Sequence, residues 1–598
     1  MKKGPKYVKA ITIATILLLI GISLFPNTGA NSNNQINAHL NLKEKLVQFI
    51  RFYTQKEPEP EPVLTEPSPD RWTQVIGDYP NSMMDNGFNN SYNVAVRGKT
   101  TFIIDDVEYL FLGTGNVITS PFSPEMIGSI FAKYDIIDLS SLKQFVLNLV
   151  VRAMENYFSS IDTQGCELWY FDGLDWKQSV GDNTEEATIG KGFGNSNNME
   201  LTMLISYKPP EDVDTYLYSG TFNPRDGLEI WRTTDPIDGI WEPLIHKNGE
   251  GIFSSGFGNK NNQAAYSAAV LNNWLYIGTM NWDEGCEIWR TNGDIWERVI
   301  GGGCNISHGF GDDEIGFERD IYAWEMIVFE DIYSKKEHLY VGTFNIAGCE
   351  LWRTSDGVNW DCLVGDNGTL RRGFNMVGVP LRTHNYGIRR LEIFQNSLYI
   401  GTASVPPFGI KFNDKNIFVP NIFLESIGSG CGLWRFDGSE FKKIIGRKFS
   451  MDLTKHSGFG DWTNAYIWSL REFDGRLFAG TWNPGRFVTD ITFQLEQPFV
   501  ELSLATDESQ HTQTAGCEIW YTDDGIDWYQ MVGDETHIKS SQWPKNGFGD
   551  KNNIGARALI PYNDYLYLGI TNTVDGCELW RFDGSDYPSQ RSRSIDID

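Results

Sequence analysis

The sequence predicts an all-β fold: a seven-bladed β-propeller closed by pairing of its N- and C-terminal strands, with one short helical insertion. Three signatures, recurring in fixed order, predict it. L-Y/F-x-G-T ends at Thr114, Thr221, Thr279, Thr343, Thr402 and Thr481, with Leu566 to Ile570 as the seventh copy. G-C-E-L/I-W begins at Gly165, Gly227, Gly285, Gly348, Gly430, Gly516 and Gly576, with Leu228 in the Cys slot of unit two and Gly432 in the Glu slot of unit five. G-F begins at Gly87, Gly192, Gly256, Gly309, Gly373, Gly458 and Gly547. The period is roughly 60 residues before insertions, near the range of solenoids and propellers. Each unit holds short β-rich runs broken by Gly, Asn and Asp, the pattern of strands joined by tight turns. With no helical period inside the unit, four-stranded blades are favoured over a helical array.

In chain order, Lys2, Lys3, Lys6 and Lys9 precede an apolar run from Ala10 to Phe25 and then Thr28-Gly29-Ala30. That is the layout of a secretory signal peptide over residues 1–30; left uncleaved, it would be an N-terminal membrane anchor. Both readings send the rest of the chain outside the cytoplasm, secreted or on the cell surface. Residues 31–70 read as a stalk, with a short amphipathic helix over Asn41 to Tyr53 and an extended, self-repelling Glu57-Pro58-Glu59-Pro60-Glu61-Pro62 spacer. Arg71 to Gly77 matches an outer strand such as Trp296 to Gly301, yet stands before the first G-F copy. It is expected to complete the last unit, leaving no long unpaired edge. The propeller is then residues 71–587, and 588–598 form a tail.

Three units are interrupted between G-T and G-C-E, by Val117 to Gln164, Val405 to Ser429 and Pro484 to Ala515. In the first, Leu142, Phe145, Val146, Leu149 and Ala153 share one face at helical spacing and predict a helix over Ser140 to Tyr157. All three insertions fall in the same loop, on the face that carries the G-F loops, so that face is the expected binding surface.

The D-G-x-x-W turns, best seen in Asp356-Gly357-Val358-Asn359-Trp360 and Asp524-Gly525-Ile526-Asp527-Trp528, resemble the Asp-box of sialidase and BNR-type propellers. In that family one residue separates the Asp from the Gly; here they adjoin, and the F-R-I-P sequence that carries a catalytic arginine is absent. The resemblance implies a fold and does not imply sialidase activity.

A net charge of -28 on 598 residues argues against nucleic acid and anionic membranes as partners, leaving membrane contact to the N-terminal segment alone. Six of the eight cysteines (Cys166, Cys286, Cys349, Cys431, Cys517, Cys577) occupy one equivalent slot. Stacked sheets lie about 10 Å apart, whereas a disulfide needs Cα atoms within about 7 Å, so these six should not pair. Only Cys362 is placed to meet a partner, Cys349, across its own hairpin. The sequence holds no D-x-D-x-D-G loop, paired metal-binding histidines, G-x-S-x-G elbow or P-loop, and no metal or cofactor is predicted.

Two groups of residues are candidates for ligand binding. G-T-x-N and G-F-x4-N supply amides, among them Asn223, Asn281, Asn345 and Asn483 from the first motif and Asn262 and Asn553 from the second. Such amides either hold turns or, beside Phe222, Trp282, Phe344 and Trp482, bind a polyhydroxylated ligand; both readings are open. The second group lies in unit five, which departs most from the repeat with Gly432, Ser404 and the strand His384 to Arg390. Aligned on the G-T signature, Arg389 matches Tyr266, Trp468 and Arg557, on strands expected to line a central channel. Arg389 and Arg557 could grip a carboxylate there, with His384 or Tyr386 moving a proton. The repeated glutamates are poor catalysts, because an active site is a single constellation; they are expected to pair with the Arg after the Trp or with backbone donors. The sequence thus points to an exported binding or display module for a glycan or an extracellular protein. The alternative is a glycoside hydrolase or lyase centred on units five and seven.

Overall fold

The computed structural model describes residues 72–116, 163–183, 186–311, 319–345, 347–375, 385–404, 408–412, 415–418, 430–446, 452–485, 487–492, 501–504, 515–533 and 545–584. The leader, the stalk, the helix expected over residues 140–157, His384 and the tail lie outside the described residues.

Unit three stands for the rest. Its strands Ala264–Leu271, Trp274–Met280, Ile288–Thr291 and Trp296–Ile300 pair antiparallel in sequence order. The first two meet at Asn272-Asn273, both at positive φ (50° and 63°), which short amide side chains tolerate in a two-residue hairpin turn. Altogether 28 strands join in one hydrogen-bonded system, predominantly antiparallel. The first described strand, Trp72–Ile76, pairs antiparallel with Glu578–Asp583 of unit seven, setting Trp72 opposite Phe582. Units are also stitched to their successors by backbone hydrogen bonds, one at each junction coming from the residue two after the G-T threonine position. These bonds run Asn116 to Met199, Asn223 to Gln263, Asn281 to Ile321, Asn345 to Tyr386, Ser404 to Ala465, Asn483 to Ile554 and Asn572 to Val94.

The three signatures recur together because they build one inter-unit staple. In the G-F loop both residues take left-handed backbone, as at Gly192 (φ 59°) and Phe193 (φ 57°), a conformation that is costly for a bulky residue. Stacking offsets that cost: Phe193 lies 5.1 Å from Trp231 of unit two, and Phe257 lies 4.4 Å from Trp289 of unit three. From the same loop, Asn262 donates Nδ2 to Glu287 Oε2 (2.8 Å), which also accepts Trp289 Nε1 (2.8 Å). The G-T threonine completes the set: Thr279 Oγ1 accepts the Glu287 backbone N–H at 2.8 Å.

The repeated glutamates therefore do not use the arginine after the Trp. That arginine turns to the other side of the strand, as Arg232 does to Glu242 (2.7 Å) and Arg290 to Glu297 (2.6 Å). Where the glutamate meets a cation, it comes from the fourth strand or the G-F loop: Lys191 on Glu167 (3.1 Å), Arg298 on Glu287 (2.9 Å), Arg372 on Glu350 (2.9 Å). The six cysteines of the common slot are fully buried, and the cysteines form no disulfide. No helix among the described residues is long and apolar enough to cross a membrane.

Segments of the unit-five and unit-six insertions pair with each other. Lys415–Phe418, Phe408–Phe412, Phe487–Thr492 and Glu501–Leu504 form a separate four-stranded sheet in that order, its two central strands parallel.

Candidate functional site

The amides read from the sequence as a ligand surface are turned inward. Asn223, Asn262, Asn281, Asn345 and Asn483 are 0 % exposed and Asn553 1 %. Asn281 donates Nδ2 to Asn262 Oδ1 (3.1 Å) and accepts the backbone N–H groups of Asp283 and Glu284. Asn223 does the same with Asn198, Arg225 and Asp226, while Asn345 donates to Asp320 and Asn483 to Asp461. Asn553, like Asn262, is spent on its staple glutamate, Glu578 (2.9 Å). A buried amide left without partners is costly, so the folded loop consumes its donors before a ligand can reach them. Tyr386 is likewise buried, its hydroxyl bonded to that of Tyr466.

Arg389 and Arg557, by contrast, occupy equivalent positions on the first strands of units five and seven, and Arg389 feels the charge of Arg557. The first strand of every unit carries an extra residue opposite the glycine of G-T, a β-bulge that re-aims one side chain. Counted from the inter-unit backbone bonds, the equivalent residues are Arg97, Thr202, Tyr266, Trp324, Arg389, Trp468 and Arg557. Alignment on G-T gives four of the seven, Tyr266, Arg389, Trp468 and Arg557, and the register adds Arg97, Thr202 and Trp324.

Two glycines fix the geometry of these positions. A Cβ on Gly387 would lie 2.0 Å from Trp324 Cζ3, and one on Gly555 2.0 Å from Trp468 Cζ3. Each indole thus packs directly against the next unit's glycine, and that unit's arginine lies over it: Arg389 over Trp324 and Arg557 over Trp468, both at 5.1 Å. Arg97 sits over the Tyr266 ring at 3.6 Å. Towards the G-F loops, Tyr322, Tyr386 and Tyr466 join Phe222, Trp282, Phe344 and Trp482 in one buried aromatic cluster that fills the axis.

Towards the hairpin turns the axis opens instead into a polar cavity of about 360 Å³, at the low end for ligand pockets. Its floor includes Arg97, Thr202 and Tyr266; its wall includes Lys99, Glu325, Arg390 and Arg471. Glu200 bridges two of the bulge-position arginines, Arg97 at 3.3 Å and Arg557 at 2.6 Å, and Arg390 pairs with Glu325 at 2.6 Å. Burial and then the charges of Arg390 and Arg97 drive the Arg389 pKa well below its usual value. Burial and Arg390 also push Lys99 well down, against the pull of Glu325. Arg97 goes the other way: burial opposes its charge, but Tyr266 and Glu200 outweigh it. Glu392, beside Arg471 at 3.7 Å, is pushed by burial up to about 7. Arg97, Lys99, Glu200, Glu325 and Arg390 escaped the sequence reading because no motif marks them. Among the described residues, no group of three His, Cys, Asp or Glu side chains is arranged to hold a metal ion.

No protein-family model matches the sequence, and no curated protein matches it. Among solved structures it is similar to a Trypanosoma rangeli sialidase in complex with sialic acid (TM-score 0.32, 12 % identity, 79 % of this chain), of whose length it spans 60 %. It is also similar to the SapL1 lectin in complex with alpha methyl fucoside (TM-score 0.29, 12 % identity, 64 % of this chain and 92 % of the lectin). A third is a mutant of the Aleuria aurantia lectin in complex with Fucalpha1-6GlcNAc (TM-score 0.26, 10 % identity, 58 % and 78 %).

Proposed function

We propose that the protein is an exported, closed, seven-bladed β-propeller that works as a binding module and holds its ligand at the axial pocket. Closure is supported by the pairing of Trp72–Ile76 with Glu578–Asp583 and by the backbone bond from Asn572 to Val94. Export is supported by the basic, apolar and small-residue sequence of residues 1–30. One observation carries the binding reading. Positions that serve the staple are nearly identical from unit to unit, whereas the seven bulge positions hold Arg, Thr, Tyr, Trp, Arg, Trp and Arg, and three of them, Arg97, Thr202 and Tyr266, line a polar cavity. Repetition serves architecture; departure from it at one place, around an opening, serves recognition. The partner is a glycan or a group presented by an extracellular protein.

A glycan array probed with the full chain tests this, beside Asn281→Ala and Arg390→Met variants. Binding lost in Arg390→Met and retained by whatever Asn281→Ala folds places recognition at the axis. Loss only in Asn281→Ala returns it to the loop face.

The second reading, a carbohydrate-active enzyme using units five and seven, draws on Glu392, held near neutrality beside the pocket. Turnover of any glycan bound on the array, abolished by Glu392→Gln with binding intact, would establish it.

A further inference from the structure

We propose that the axial pocket is an oxyanion site whose ligand is a small hydroxylated anion, a sugar acid or a sugar bearing phosphate or sulfate. This rests on the axial pocket being the seat of binding and adds the charge and class of what binds there.

Six cations gather on the axis: Arg97, Lys99, Arg389, Arg390, Arg471 and Arg557. Three carboxylates answer them. Glu200 takes Arg97 and Arg557, Glu325 takes Arg390, and Glu392 approaches Arg471. Arg389 is left over. It is 1 % exposed, its Nε and Nη1 find no hydrogen-bond partner among the described residues, and its visible neighbour is the Trp324 face. A guanidinium does not escape by losing its proton, so a buried one without a counter-charge is strongly unfavourable unless an anion arrives. Lys99, on the pocket wall, makes no ion pair among the described residues either, and it feels Arg389 and Arg390 as repelling charges.

This excess of positive charge stands in a chain of net charge -28, so it is not the spill-over of a basic surface. The pocket also offers what a hydroxylated ligand needs. Thr100, Thr101 and Ser267 line it, and its exposed surface is mainly polar. Its volume suits one sugar-sized ring rather than a chain. An oxyanion seated among Arg97, Lys99 and Arg390 would offset the charges of Arg390 and Arg97, the two that most repel the buried Arg389. It would relieve the uncompensated charge without displacing the Glu200 or Glu325 pairs. A neutral sugar would leave that charge where it is.

The test is titration calorimetry and thermal melting of the full chain with glucuronate, phosphate and sulfate, against glucose and chloride at constant ionic strength. We expect saturable one-to-one binding of at least one oxyanion, raising the melting temperature, with glucose and chloride inert. Glucuronate binding identifies a sugar acid; phosphate or sulfate binding alone identifies an esterified sugar. Arg471→Gln, at the half-exposed rim, should fold normally and weaken binding about tenfold or more. Arg389→Met should melt higher than the wild type without anion and lose most of the anion-induced rise, which a merely structural arginine would not do. Oxyanions no better than chloride, or binding indifferent to both variants, overturns the oxyanion assignment. If a neutral glycan then binds and Arg390→Met abolishes it, the axial binding reading survives alone; if nothing of either charge binds, both fall.

Discussion

Two networks of buried polar groups run through this molecule, and they are built on opposite principles. In the staple of unit three the buried carboxylate is answered on every side: Glu287 accepts Asn262 and Trp289 and pairs with Arg298 and His308. At the axis the cations outnumber the carboxylates, and among the described residues Arg389 Nε and Nη1 have no hydrogen-bond partner beside the indole they face. A network that closes on itself stabilises; one left open stores a preference for something not in the chain. Sequence alone made the two look alike, since both consist of polar residues at regular positions.

The comparison can be broken most severely where the N-terminal strand meets unit seven. Deleting residues 72–77 removes the strand paired with Glu578–Asp583, and Trp72 alone, 1 % exposed, is worth about 1.5–3 kcal/mol by burial. The melting temperature should fall sharply; an unchanged melt would refute closure. Next, Glu287→Ala leaves Arg298 and Asn262 without their acceptor and should cost about 3–5 kcal/mol in denaturant unfolding. Anion binding measured well below its midpoint should not change. A staple variant that abolished binding while still folded would erase the distinction drawn here.

A subtler contrast lies inside the staple. Glu578 has no cation among the described residues; its partners are Trp580, Asn553 and Gln74 of the N-terminal strand, and burial lifts its pKa from 4.5 to about 7. The native state therefore holds this proton more tightly than the unfolded chain. Its contribution to stability is intact below about pH 4.5 and is lost as the pH rises to about 7, a loss on the order of 3 kcal/mol. Glu578→Gln should flatten the pH dependence of unfolding across that window; an unaltered profile would mean the carboxylate is better solvated than its burial implies.

Gly555→Ala forces a methyl into Trp468 and should cost about 1–3 kcal/mol. Because Arg557 stacks on that indole, oxyanion affinity should fall with it, the one place where packing and recognition meet. The smallest effect is expected at Asp320, which stands in unit four where other units have the staple asparagine. It shares a hydrogen bond with Glu350, whose pKa burial raises despite Arg372. Two buried carboxyl groups need a proton between them, so Asp320→Asn should stabilise by about 1 kcal/mol at pH 8, with little gain at pH 5.

What the sequence determined by itself was whatever repeats. The strand order, the tight turns, the shared cysteine slot and the expectation that Arg71 to Gly77 belongs beside unit seven all follow from local patterns counted seven times. Even the equivalence of Arg389 and Arg557 was legible, because alignment on G-T carries register along one strand. Tertiary structure alone decided which polar residues are spent and which are free to act. Asn281 and Arg389 look equally available in one dimension, but the amide's partners lie two residues downstream and on a neighbouring loop, inside a closed hydrogen-bond set. The arginine's environment is assembled from other units: Trp324 of unit four, Arg97 of unit one and Arg557 of unit seven. Charge balance in a buried site is a sum over distant segments, and only the folded chain performs that sum.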